Sequence, residues 1–178
     1  MANVIRLNDA APADEWFGMS NGATGMIIEL IGLSGSIMAE TDAEKSMIVW
    51  LLEKDQNVVG IGTIGFDIVE MPWTTADFIH QRLFMLKVLD GVKNKLGWNR
   101  LPYLPNCKFV DSGIAVLTPM FEKMTIDMID EENTKEWRIS AEPDDPVNNG
   151  YPKCKEHEML LTLWGCYSCG STKHITAI

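Results

Sequence analysis

The strongest constraint on this chain lies near its end, where Cys154-Lys155-Glu156-His157 is followed, after eight intervening residues, by Cys166-Tyr167-Ser168-Cys169. Each pair leaves two residues between its donors, a gap that lets one tight turn aim both at a single ion. Zn²⁺ takes four nitrogen or sulfur donors in a tetrahedron. Gly170 follows the last cysteine and suits a knuckle turn, because glycine accepts positive φ without steric cost. The spacing predicts a structural Zn²⁺ held by Cys154, His157, Cys166 and Cys169, with His174 as a spare ligand should His157 not bind. Two disulfides, or a chance clustering of cysteines, are the alternatives for the same residues.

Catalytic zinc keeps one position open for water and usually has three protein ligands. Four donors in so short a span close the shell instead. Zinc deaminases pair H-x-E with P-C-x-x-C, but here Met159 stands two residues after His157, and Gly165 rather than proline precedes Cys166. Deamination is therefore excluded. The chain has no G-x-S-x-G, Walker loop or H-E-x-x-H. A Cys107–His80 pair stays open as nucleophile and base, with no sequence signal bringing the two together. No catalytic residue is assigned, and no small-molecule substrate is evident.

With 178 residues, 46% of them hydrophobic, the chain can bury the core of one domain. Its formal net charge of −10 repels phosphate backbones and anionic membranes. The start breaks up before an apolar signal segment could form, and no apolar run is long enough for a membrane span. Three of the four cysteines sit in the metal-like cluster and Cys107 stands alone, which fits a reducing cytoplasm.

Residues 1–22 read as an irregular arm that lays the Trp16-Phe17 pair on the core. Met26-Ile-Ile-Glu-Leu-Ile31 and Ser36-Ile-Met-Ala39 read as strand, with Gly32-Leu-Ser-Gly35 as a turn. Thr41-Asp-Ala-Glu44 is a capping box, which predicts a helix over 42–54. Gly60-Ile-Gly62-Thr-Ile-Gly65 matches a dinucleotide fingerprint by letter, but only Val58-Val59 precedes it and Phe66-Asp-Ile-Val-Glu-Met-Pro72 follows. The fingerprint needs a strand before and a helix after. A strand over 58–69, with glycines permitting a bulge or a close approach, is the better reading.

Thr74-Thr-Ala-Asp77 predicts a second helix over 75–96, stopped by Gly97, with Arg82, Lys87, Lys93 and Lys95 on its outer face. Residues 109–117 are compatible with strand or helix, and Thr118-Pro119 reads as the start of a helix. Between Glu122 and Asp145 nine acids face three bases, with Trp137 among them. An aromatic among acids can anchor a basic protein surface. Glu131, Glu132, Glu136 and Trp137 are accordingly the candidate partner-binding residues.

The expected fold is one α+β domain. A small, mostly antiparallel sheet from 26–39 and 58–69 is covered by two to three helices, with a zinc-clipped tail packed on the end. The expected division is arm 1–22, core 23–140, linker 141–152 and zinc tail 153–178.

The tail resembles a zinc ribbon or knuckle over roughly residues 152–171. That resemblance implies a structural zinc site with Cys154, His157, Cys166 and Cys169 as ligands. More loosely, the body resembles small acidic cytoplasmic proteins of bacterial toxin–immunity pairs in size and charge. The expected function is a non-enzymatic binding or inhibitor protein covering a basic partner such as a toxin. The alternative is a zinc-stabilised nucleic-acid accessory protein using Arg82, Lys87, Lys93, Lys95 and Arg100.

Overall fold

Residues Asn21–Met38 form one helix, α1, in the computed structural model, which describes residues 3–169. Every residue of α1 from Thr24 to Ser36 except Met26 is buried. A helix covered on all sides carries no amphipathic period, so its β-branched residues read as strand. The strand expected over 26–39 is thereby corrected to helix. The Gly32-Leu-Ser-Gly35 stretch is not a turn either. A Cβ on Gly32 or Gly35 would collide with Leu52 or Ile48, so both glycines let a neighbouring helix approach closely.

That neighbour is α2 (Asp42–Leu52), which begins as expected. The Glu44 amide donates to Thr41 Oγ1 at 3.2 Å and the Thr41 amide donates to Glu44 Oε2 at 2.9 Å. Helix α3 (Phe78–Lys93) packs on α1 and α2, and Gly97 takes the left-handed conformation (φ 79°) after it. Its entry differs from a full capping box. Thr74 Oγ1 accepts from the Asp77 amide, but the Thr74 amide donates to Gln81 Oε1 at 2.9 Å.

Helix α4 (Cys107–Lys123) settles the 109–117 ambiguity; it packs on α3 and buries Val110, Ile114, Leu117 and Phe121. Pro119 lies inside α4 rather than at a helix start, and the Thr118 hydroxyl donates back to the Ile114 carbonyl at 2.8 Å. Helix α5 (Glu131–Ser140) occupies the middle of the acidic stretch.

The strands are short: β1 (Val4–Arg6), β2 (Phe17–Gly18), β3 (Asp55–Gln56), β4 (Gly62–Thr63) and β5 (Phe66–Asp67). One sheet has the order β2-β1-β5, antiparallel then parallel, and β3 pairs with β4 antiparallel. The class is α+β, with five helices and these two sheets among the described residues. The continuous strand expected over 58–69 is corrected to β4 and β5, with single-turn 3₁₀ helices at Asn57–Val59 and Ile68–Glu70. The glycine triplet is followed by β5 and one 3₁₀ turn, and no α-helix begins before Phe78. Gly60 and Gly62 take positive φ, and a Cβ on Gly65 would strike the backbone of Val4 in β1.

Candidate metal centre

The two donor pairs are shaped by backbone turns before any metal is considered. Lys153 and Leu160 form an antiparallel bridge, and the Cys154 amide donates to the Met159 carbonyl at 2.8 Å. The Glu158 amide returns a bond to the Cys154 carbonyl at 2.8 Å, with Glu158 itself at φ 52°. Thr162 and Gly165 close a second tight turn through reciprocal bonds of 3.0 and 2.8 Å, with Gly165 at φ 92°. The eight residues between the donor pairs thus fold back on themselves and bring one pair against the other.

The four donor atoms lie within 4.8 Å of one another. His157 Nδ1 is 3.8 Å from Cys154 Sγ, 3.7 Å from Cys166 Sγ and 3.3 Å from Cys169 Sγ. Cys154 Sγ and Cys169 Sγ are 3.6 Å apart. A tetrahedron with metal–sulfur bonds of about 2.3 Å has edges of about 3.8 Å. These donors therefore have the spacing of a tetrahedral shell and can hold a metal ion through three sulfurs and Nδ1. All four cysteines are free thiols in this structure rather than paired in disulfides. His174 lies outside the described residues.

The backbone prepares one of the three sulfurs, that of Cys154, for negative charge. Burial raises the Cys154 thiol, but the amides of His157 and Glu156 and the His157 ring outweigh it and bring it down to about 7. Burial pushes Cys166 up, against the opposing Cys169 amide, and raises Cys169 as well. A bound cation reverses that burial cost, because a coordinating thiol is deprotonated outright.

The residues between the last two cysteines face inward. Ser168 Oγ donates to Glu29 Oε1 at 2.6 Å, and Tyr103 donates to Glu29 Oε2 at 2.5 Å. Tyr167 donates to the Asp55 carboxylate and lies 3.0 Å from the Gly25 carbonyl. Glu29 and Asp55 are both buried. Burial first, and then the adjacent carboxylates, raise both tyrosine hydroxyls, which keeps them proton donors. A Cβ on Gly25 would overlap Asp55 and press on Tyr167, so the glycine makes room for this cluster. Sequence reasoning missed Glu29, Asp55 and Tyr103. The available signal was Glu29 itself, a lone acid inside the apolar run Met26–Ile31.

The tail is also part of the core. Cys154, Met159, Leu160, Leu161 and Cys166 belong to the main apolar cluster. The Leu160 amide donates to Ser36 Oγ at 2.9 Å, and Lys153 Nζ to the Ser36 carbonyl at 2.5 Å.

The candidate partner residues are placed differently. Trp137 is half-buried, and its indole donates to Glu53 Oε2 at 3.0 Å. Glu131 accepts from the Thr75 amide at 2.5 Å, Glu132 pairs with Lys135 at 2.5 Å, and Glu136 is exposed. Of the basic candidates, Arg82 donates to the Met124 carbonyl at 3.0 Å, beyond the end of α4, and Arg100 pairs with Glu158. His80 Nε2 is 2.8 Å from Glu44 Oε1, while Cys107 is exposed at the first residue of α4.

No helix among the described residues is long and apolar enough to cross a membrane. No family model, no curated protein and no solved structure matches this chain.

Proposed function

We propose that this is a zinc-stapled, non-enzymatic binding protein that covers a basic protein partner, of the kind an immunity protein covers, with its acidic surface. Thiolate-rich tetrahedral donor sets suit zinc. A shell of four protein donors leaves no place for a reacting water, so the ion's role here is structural. It orders Tyr167 and Ser168 against Asp55 and Glu29.

One observation carries the binding reading. Glu122, Asp127, Asp130, Glu136, Glu142 and Asp144 are all exposed, and none forms an ion pair among the described residues. Unpaired acids gathered in one stretch steer a basic protein into encounter, and the effect fades beyond about 8 Å at physiological salt. Trp137 is engaged with Glu53, so any anchoring by this residue uses only the exposed part of its ring. The test takes protein purified without chelator, which should carry one zinc per chain. A partner recovered from the native host is then followed by stopped-flow association. Glu132→Lys with Glu136→Lys should slow association and flatten its salt dependence. Unchanged kinetics would remove the acidic-surface reading.

A further inference from the structure

Beside the second knuckle lies a cavity of about 370 Å³ whose wall includes Asp55, Asn57, Val58, Trp164 and Tyr167. Asp55 is 4% exposed and pairs with no cation among the described residues. Its carboxylate accepts from the Asn57 amide at 2.9 Å, the Thr63 hydroxyl at 3.5 Å and the Tyr167 hydroxyl. All three donors are neutral. A buried carboxylate held only by neutral donors is costly, and a cation brought to the cavity would offset that cost. Trp164 is half-buried and Tyr167 follows three residues later, giving the wall two aromatic rings that favour a cation electrostatically. The adjoining loop leaves Val58, Val59 and Ile61 at 45%, 51% and 64% exposure, an apolar rim for an incoming chain.

We propose that this cavity receives the ammonium group of a lysine side chain presented by the basic partner. The source of the lysine rests on the partner-binding reading above, whereas the chemistry of the cavity stands without it. Ammonium is favoured over guanidinium by the donor accounting. A carboxylate offers about four acceptor positions, and three at Asp55 are taken. One remaining position suits a compact point donor, while the planar arginine fork engages a carboxylate through two. The lysine stem would lie along Val58 and Leu52 while its charge reaches the polar end.

The experiment uses the zinc-loaded full chain and three capped tripeptides, Gly-Lys-Gly, Gly-acetyllysine-Gly and Gly-Arg-Gly, followed by the Trp164 indole N–H resonance. The lysine peptide should saturate, the acetyllysine peptide should bind about tenfold more weakly or not at all, and arginine should rank between them. Trp164→Ala lies at a half-exposed turn, so it tests the wall without removing the buried Asp55. It should weaken lysine binding about fivefold by isothermal titration, with zinc content unchanged. Equal binding of lysine and acetyllysine, tighter binding of arginine, or a silent Trp164→Ala would overturn the proposal. Glu132→Lys with Glu136→Lys separates the two readings. If the lysine tripeptide binds but the variant associates with the partner as fast as the unmodified chain, only the acidic surface fails. If the variant slows partner association and no tripeptide binds the unmodified chain, only the cavity fails.

Discussion

The tail from Cys154 to Cys169 and the acidic stretch from Glu122 to Asp145 are both polar segments late in the chain, yet they face opposite ways. The tail turns its polar groups inward: Ser168 to Glu29, Tyr167 to Asp55, Lys153 to Ser36. The acidic stretch turns most of its charges to solvent and meets the body through Thr134 Oγ1 on the Trp73 carbonyl, Trp137 on Glu53, Arg138 on Ser46 and Glu131 on the Thr75 amide. The difference teaches that a metal cluster at the end of a chain need not be an appendage. Here the turn that carries the donor cluster also supplies hydroxyl donors to the buried carboxylates of Glu29 and Asp55.

The largest expected effect tests that claim. Cys166→Ser should lose the metal and destabilise the whole domain by at least several kcal/mol, because structural zinc contributes folding free energy directly. Hydrogen exchange of α1 amides with and without chelator is the measurement. If α1 keeps its protection while only 153–169 exchanges, the tail is a separable clip and the comparison breaks.

The next effect lies where the acidic stretch meets the body. Burial raises the Glu53 carboxyl to about 7, with Asp145 adding to the rise and Trp137, the Leu163 amide and Lys54 opposing it. A raised carboxyl holds its proton in the folded state after the unfolded chain has released it. Stability should therefore fall as pH rises from about 4.5 to about 7, by on the order of 3 kcal/mol, and then level off. Glu53→Gln should remove most of that slope in denaturant titrations at several pH values. A slope unchanged by the substitution would place the titrating group elsewhere.

Tyr103→Phe removes one hydroxyl donor from Glu29 and leaves the metal ligands untouched. It should cost about 1–3 kcal/mol, since a buried acceptor loses a partner. Zinc stoichiometry should stay at one per chain while the urea midpoint falls. No loss of stability would mean that Ser168 alone satisfies Glu29.

The smallest structural effect belongs to the exposed acids. Glu132→Lys with Glu136→Lys should leave the melting temperature nearly unchanged while slowing partner association, because solvent-facing charges act at long range and are screened at contact. A large drop in melting temperature would show that these acids hold the fold, and would erase the contrast between the two regions.

The sequence by itself determined the features whose partners lie a few residues apart. Two-residue gaps placed Cys154, His157, Cys166 and Cys169, and the same gap between Thr41 and Glu44 placed the start of α2, because turns and caps are closed by neighbouring backbone groups. It also showed that the Gly60–Gly65 triplet lacks the helix a nucleotide needs. Tertiary structure decided what depends on distant neighbours. Met26–Ile31 is helix inside a shell that includes α4 at Ile27 and Tyr103 and Ser168 at Glu29, and burial on all sides erases the periodicity that separates helix from strand. Ser168 reaches Glu29 across a separation of 139 residues, and Tyr167 reaches Asp55 across 112, links that no local pattern encodes. The direction of the charges was equally hidden. An acid reads the same in sequence whether it faces water, as Glu136 does, or is buried under hydroxyl donors, as Glu29 is. Only the surrounding packing sets the dielectric and the donors that tell the two apart.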